Sequence, residues 1–430
     1  MHYYSLNKQS REVDFRTATI QGQAPDKGLY FPSVLPKLSP SFIEAIPNMN
    51  REELAYEVMK PYVGDDIPSS ELSSIVKETI DFPFPLVQLN ETYYSLELFH
   101  GPTLAFKDVG ARFMSRCLGY FSKDRQTKTT VLVATSGDTG GAVANGFLGV
   151  EGVEVVILYP SGKVSNVQEL QLTTCGQNIT ALEIQGSFDD CQAMVKEAFM
   201  DSTLQHKLSL TSANSINVAR WLPQQLYYFF AMQQWKDKNI SPVIAVPSGN
   251  FGNICAGLLA RYSGLPVNKF IAACNINDTV TPYLETGVFT PKTTVPTISN
   301  AMDVGNPSNL SRIIELFNQE GIAIQEILQT ACITDSVTMT CMLNAYKEYG
   351  YTLDPHGAVA LAALQKLLKP DEKGIFLETA HPVKFPDTVT NAIGKSPELP
   401  AAIEPLFKKE KKSILMEASF DALKEWLMTR

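Results

Sequence analysis

The run Thr129-Thr130-Val131-Leu132-Val133-Ala134 passes into Thr135-Ser136-Gly137-Asp138-Thr139-Gly140-Gly141 and then into Ala142-Val143-Ala144-Asn145-Gly146-Phe147. An uncharged, β-branched and apolar run predicts a buried strand, the small polar residues a turn, and the last segment a helix. Small residues let backbone amides approach a ligand, and a helix N-terminus attracts carboxylate or phosphate, so the turn reads as an anion cradle. A tight strand-to-helix turn needing glycine for geometry alone accounts for the same letters. The pattern recurs outward along the chain in VEVVILYP (153–160), PVIAVPSG (242–249), KFIAACN (269–275) and GIFLETA (374–380). Strands alternating with helices, without hairpin dipeptides between them, predict parallel βαβ units and an open α/β sheet. Ligands in such sheets sit at the carboxyl ends of the strands, so the functional residues are expected in the turns that follow these runs.

The flanks have a different texture. Residues 1–80 are acidic and proline-punctuated, with helical periods in REELAYEVMKPYV and SSELSSIVKETI, and predict a small helical N-terminal domain. Residues 81–400 are expected to form the core, and 401–430 a charged, amphipathic helical tail that closes the fold. The uncharged stretch 239–260 is long enough to suggest a membrane span, yet Pro242, Pro247, Ser248, Asn250 and Asn253 break it into strand, loop and helix.

The 430 residues carry 36 Lys and Arg against 45 Asp and Glu, a net charge of -9. That balance argues against nucleic acid or an anionic membrane as the main partner and leaves room for a local basic pocket. Seven scattered cysteines without a C-x-x-C pair fit a reducing cytoplasm. The five histidines have no metal-ligand spacing, so no metal site is expected. The N-terminus shows neither a secretory h-region nor an Arg-rich transit pattern.

Three further turns carry chemistry. In His100-Gly101-Pro102-Thr103-Leu104-Ala105-Phe106-Lys107-Asp108, Lys107 stands among apolar residues at a helix start, surroundings that disfavour the ammonium and suit Schiff-base formation. A snorkelling lysine is the plainer reading of that string alone. Pro247-Ser248-Gly249-Asn250-Phe251-Gly252-Asn253 is a second glycine loop before a helix and suits a phosphate dianion. It lacks G-x-x-x-x-G-K-[ST], and no turn reads G-x-G-x-x-G, which sets nucleotide and nicotinamide binding aside. Thr379, in Glu378-Thr379-Ala380-His381-Pro382, places a hydroxyl at a strand end, where it can meet a heterocyclic nitrogen without forcing its protonation.

Together these residues resemble the fold-type II family of pyridoxal-phosphate enzymes. HGPTLAFKD, TSGDTGGA, PSGNFGN, DPHGAVA and ETAHPVKF occur in that family's order across nearly the whole chain. The resemblance implies two open, mostly parallel sheets flanked by helices, with pyridoxal 5'-phosphate as cofactor. It implies Lys107 as the covalent anchor, Ser248, Gly249, Asn250, Phe251 and Gly252 around the cofactor phosphate, and Thr379 at the pyridine nitrogen. Ser136, Gly137, Asp138 and Thr139 would hold a substrate carboxylate.

Many relatives carry asparagine where this chain has Asp138, and the aspartate form marks a branch acting on O-phospho-L-homoserine. The substrate phosphate would then fall to Lys163, Asn214, Ser215 and Arg220, with Arg220 as the multidentate partner. His356, in Asp354-Pro355-His356-Gly357, matches the family without an assigned role. The reaction implied is release of phosphate from Cγ and addition of water at Cβ, giving L-threonine. It requires a dry site, so residues of about 108–225 are expected to move as a small subdomain. The alternatives are a threonine or serine dehydratase of the same family and a non-catalytic ligand-binding relative. A monomer or homodimer is expected.

Overall fold

The computed structural model describes residues 1–123 and 128–430. Two parallel sheets carry the core. The larger has strands in the order Leu328–Cys332, Lys269–Cys274, Val243–Pro247, Gly374–Glu378, Tyr93–Glu97 and Leu86–Gln88, with only the last pair antiparallel. The smaller runs Ile414–Glu417, Ile179–Gln185, Val153–Pro160, Thr129–Ala134, Ser209–Thr211, parallel throughout. Each of the five quoted runs forms a strand. Thr129–Ala134 is buried along its whole length, as a strand covered by helices on both faces must be. The tempting apolar stretch resolves into the strand Val243–Pro247, a loop and the helix Gly252–Tyr262. Among the described residues no helix is long and apolar enough to cross a membrane.

Parallel register aligns the carboxyl ends. Ala245 lies between Ile271 and Phe376, so the turns after Pro247 and Glu378 emerge at one edge of the large sheet. Glu97 pairs with Glu378, which brings the loop leading to Lys107 to that same edge.

The first 80 residues contain the expected helices, Arg51–Val63 and Ser69–Thr79 among them, and add a three-stranded antiparallel sheet built from Val13–Asp14, His2–Ser5 and Tyr30–Pro32. Strands of two to four residues are too short to show a period of two. Their side chains do not form a separate core: Tyr3, Phe15 and Tyr62 share one apolar cluster with Phe113, Trp221 and Tyr228. The tail likewise adds a strand, Ile414–Glu417, before the expected helix Phe420–Met428. That helix buries Leu423 and Leu427 in the cluster containing Leu132, Val156 and Leu182 of the small sheet. Five of the seven cysteines are buried and all are free thiols.

Candidate active site

Lys107 opens the helix Lys107–Ser122 after a loop folded back on itself. Asp108 does the folding: its carboxylate accepts from the Thr103 backbone N–H at 2.9 Å and from the Thr103 hydroxyl at 2.5 Å. The strand end that carries Thr379 clamps the same loop, because the Phe106 N–H donates to the Thr379 carbonyl at 2.9 Å and Ala105 bridges Ala380. The hydroxyl of Tyr227 donates to the Phe106 carbonyl. Lys107 and Thr379 are thus fixed relative to one another by backbone hydrogen bonds. The Thr379 hydroxyl itself has no hydrogen-bond partner among the described residues.

The side chain of Lys107 is 19% exposed, and its Nζ stands 3.9 Å from Asp138 Oδ2. Burial pulls the ammonium below the usual lysine range; Asp138 opposes this, while Lys384 and Arg220 reinforce it. A desolvated amine with one carboxylate in reach is poised to react as a nucleophile and to pass a proton.

Asp138 begins the helix Asp138–Phe147. Its Oδ1 is 2.7 Å from Lys384 Nζ and accepts from Gln168 Nε2 at 2.9 Å. Burial works against its ionisation, but Lys384, Lys107 and these hydrogen bonds outweigh burial and hold the carboxyl well below the usual range. An ionised side chain does not itself bind a substrate carboxylate. The donors in this turn are the backbone N–H groups of Ser136, Asp138 and Thr139 and the hydroxyls of Ser136 and Thr139, which have no partner among the described residues. The turn is shaped by Thr135, whose Oγ1 accepts from the N–H groups of Gly137 (3.0 Å) and Gly140 (2.8 Å). Gly137 has φ +136°, and a methyl there would fall 2.5 Å from Gln168 Cδ, so only glycine fits.

Lys384 has no place among the sequence-predicted residues, although it stands in the quoted string ETAHPVKF. Its side chain is 0% exposed, and its three donors go to Asp138, the Thr103 carbonyl (2.9 Å) and Gln171 Oε1 (3.1 Å). A lysine between two apolar residues, Val383 and Phe385, was its signal in the sequence. Gln168 and Gln171, on the helix Asn166–Thr173, gave none.

The loop 248–252 caps the helix Gly252–Tyr262. The N–H groups of Gly249, Asn250, Phe251 and Gly252 have no partner among the described residues, whereas that of Ser248 is tied to the Ala273 carbonyl at 2.8 Å. Phe251 adopts φ +61°, the left-handed conformation that turns successive N–H groups the same way. Asn250 holds the loop from outside: its Nδ2 donates to Ser215 Oγ at 2.7 Å, and its Oδ1 accepts from the Ser308 N–H (2.7 Å) and hydroxyl (2.8 Å). Asn309 Nδ2 adds hydrogen bonds to the Asn250 carbonyl (3.0 Å) and Ser215 Oγ (3.2 Å). Ser215 therefore serves this loop. Its neighbour Asn214 is half-buried with an unpartnered Oδ1.

Arg220 is 4% exposed. Its Nη1 donates to the Lys107 carbonyl at 3.0 Å, its Nε has no partner, and no carboxylate within salt-bridge reach is present among the described residues. Burial draws its pKa down to about 10, offset in part by Tyr227 and Asp108, so it stays a cation at neutral pH. Lys163 lies apart from this buried group, exposed in the turn after Val153–Pro160.

Four unpaired amides at a helix N-terminus, a desolvated lysine and a free threonine hydroxyl match the phosphate, aldehyde and ring nitrogen of pyridoxal phosphate. Fold and site together define a pyridoxal-phosphate-dependent enzyme built on two parallel sheets. Residues 80–377 match the family described as "Pyridoxal-phosphate dependent enzyme", residues 2–80 "Threonine synthase N terminus" and residues 357–427 "Threonine synthase, C-terminal". Threonine synthase of Haemophilus influenzae is 44% identical over 434 residues, covering all of both chains. The crystal structure of threonine synthase from Escherichia coli superposes with a TM-score of 0.94 at 43% identity over 100% of both chains. That of pyridoxal-phosphate-bound threonine synthase from Brucella melitensis gives 0.93 at 34% identity, over 100% of this chain and 99% of the other. The chain belongs to the threonine synthase family.

Proposed function

We propose that this protein converts O-phospho-L-homoserine and water into L-threonine and inorganic phosphate. The observation that carries the reading is the pairing of a desolvated Lys107 with an ionised Asp138 at the mouth of a glycine loop, in a chain aligned end to end with threonine synthases. Bound pyridoxal phosphate supplies an electron sink for the charge that develops when protons leave Cα and Cβ.

The chain's own residues then have distinct tasks. The amides of 249–252, backed by Ser248, hold the cofactor phosphate, and Thr379 meets the ring nitrogen as a neutral partner. Lys107 would hold the cofactor and, as a free amine, would serve as the base beside the substrate Cα. Asp138 Oδ2 faces Lys107 and favours its protonated form whenever it has taken up a proton, while Lys384 and Gln168 keep Asp138 oriented through Oδ1. The amides and hydroxyls of 136–139 bind the substrate carboxylate. Arg220, aided by Asn214 and Lys163, takes the phosphate that leaves Cγ. Once that phosphate has gone a proton is delivered to Cγ, water adds its hydroxyl at Cβ, and a proton returns to Cα, so one C–O bond breaks and another forms.

Cofactor-loaded protein incubated with O-phospho-L-homoserine should release phosphate and L-threonine in equal amounts. Phosphate with a keto acid instead would remove the water-addition step, and no phosphate would sink the substrate assignment. Arg220→Ala should abolish most turnover of the phosphorylated substrate.

Premature hydrolysis is avoided only in a closed site, and the small sheet carries both the carboxylate turn and Lys163. We infer that residues of about 108–225 move inward on substrate binding, and that the tail travels with them because Ile414–Glu417 is hydrogen-bonded to that sheet. Small-angle scattering should show a smaller radius of gyration with a substrate analogue; identical curves would refute the movement. The acidic charge balance and the free thiols support work in the cytoplasm on a small molecule.

A further inference from the structure

The motif Asp354-Pro355-His356-Gly357 takes no part in the chemistry above, yet it is buried beneath the cofactor site. Asp354 caps the helix Pro355–Leu367, accepting from the backbone N–H of His356 at 2.6 Å and of Gly357 at 3.4 Å. The same carboxylate lies 2.6 Å from His356 Nδ1. A carboxylate partner makes Nδ1 the protonated nitrogen of the neutral ring and leaves Nε2 as an acceptor. Nε2 accepts from the Ala301 N–H at 3.2 Å.

Ala301 lies in the short turn Asn300–Met302, and this turn is packed against the phosphate loop. A methyl built on Gly249 would fall 2.7 Å from Met302 Cα and 3.2 Å from the Ala301 carbonyl oxygen. In the other direction, the Asp354 N–H donates to Glu378 Oε1 at 2.6 Å, and Glu378 directly precedes Thr379. One buried residue, Asp354, thereby connects the strand end that carries Thr379 with the turn that backs Gly249.

We propose that His356, oriented by Asp354, is a positioning residue that seats the turn 300–302 against Gly249 and so sets the spacing of the cofactor-phosphate loop. The proposal rests on the reading of 248–252 as that loop. The turn has a second anchor: Asn275 Nδ2 donates to Thr297 Oγ1 (2.9 Å) and Asp303 Oδ1 (2.8 Å), and Asn277 Nδ2 to Asp303 Oδ1 (2.9 Å). Loss of the His356 contact should therefore shift the turn without dismantling it.

The test compares His356→Asn with His356→Gln and measures dissociation constants for pyridoxal phosphate and for pyridoxal, which lacks the phosphate. Asparagine can satisfy Asp354 but is too short to reach Ala301, whereas glutamine places an acceptor where Nε2 stood. His356→Asn should weaken pyridoxal-phosphate binding about tenfold, the cost of stranding a buried N–H, and His356→Gln should restore most of it. Pyridoxal should bind wild type and variants alike. Wild-type affinity in His356→Asn, or equal losses for both ligands, overturns the proposal. Wild-type protein that binds pyridoxal as tightly as pyridoxal phosphate overturns instead the phosphate-loop reading beneath it. Should neither variant fold, hydrogen exchange in the wild type decides: cofactor should slow exchange across 297–303, and unchanged exchange there overturns the proposal.

Discussion

Where the strand Thr129–Ala134 ends, the turn that follows is held by charges that meet inside it; where Val243–Pro247 ends, a turn of the same strand–loop–helix form is held by neutral side chains, with the Arg312 guanidinium set behind them and donating to Asn309 Oδ1 at 2.8 Å and to the Ser215 carbonyl at 2.9 Å. The first gathers Lys107, Asp138 and Lys384 in a space where Asp138 is 5% and Lys384 0% exposed. The second rests on Asn250, Ser215, Ser308 and Asn309, all neutral, and on Gly249 pressed against Met302. The difference follows from what each turn has to do. A phosphate that stays bound through turnover is served by fixed amides, which need no change of protonation. In the reaction proposed above a proton comes and goes around Lys107, and titratable groups with set charges are what can steer it.

The contrast is sharpest in the response to removing one partner. Lys384→Met leaves the Asp138 carboxylate buried without its 2.7 Å counter-ion, and Asp138→Asn leaves the Lys384 ammonium in the same position. Each should lower stability by about 3–5 kcal/mol in urea unfolding, the usual result of breaking a buried pair, whereas the double variant should recover much of that loss. Simple addition of the two effects would show that the charges are not coupled. The pH dependence has a definite sign. A carboxyl held below its usual range contributes stability above its unfolded pKa and loses it as pH falls through the folded value, so Asp138→Asn should flatten the acid limb of the stability curve.

On the neutral side the sensitivity is to shape. Gly249→Ala places a methyl 2.7 Å from Met302 Cα, backbone that cannot swing aside as a side chain would. Overpacking of this kind costs about 1–3 kcal/mol, and here it should appear as weaker pyridoxal-phosphate affinity by equilibrium dialysis. Unchanged affinity would mean that the loop tolerates displacement, and the contrast between a tunable and a rigid turn would fail.

Both turns were legible in the sequence, whereas the side chains that support them were not. Both loops and Lys107 could be found because strand, glycine turn and helix leave a local signature. The short strands His2–Ser5 and Ile414–Glu417 left none, since both are too short for a period and the partner of the second is distant in sequence. Lys384 was overlooked for a related reason. Its meaning depends on Asp138, nearly 250 positions earlier, and a single lysine in Pro382-Val383-Lys384-Phe385 looks the same whether it ends in solvent or on a carboxylate. The role of Ser215 as a prop for Asn250 was hidden in the same way, in a contact that only the folded chain creates.

Lys163 completes the comparison as a charge outside both turns. It is exposed on the turn after Val153–Pro160, so solvent screens it and an ion pair there is worth about 0–1 kcal/mol. Lys163→Ala should therefore raise KM for O-phospho-L-homoserine by less than about fivefold and leave kcat unchanged. Arg220, buried with an unpartnered Nε, should show a far larger loss on truncation. If steady-state kinetics instead gave Lys163→Ala an effect as large as Arg220→Ala, the turn carrying Lys163 would have to reach the substrate in a water-excluded state. The inward movement of the small sheet would then carry Lys163 into full contact with the substrate phosphate instead of leaving it at the solvent edge. The smallest substitution effect thus measures how far the charged half of the site closes during turnover.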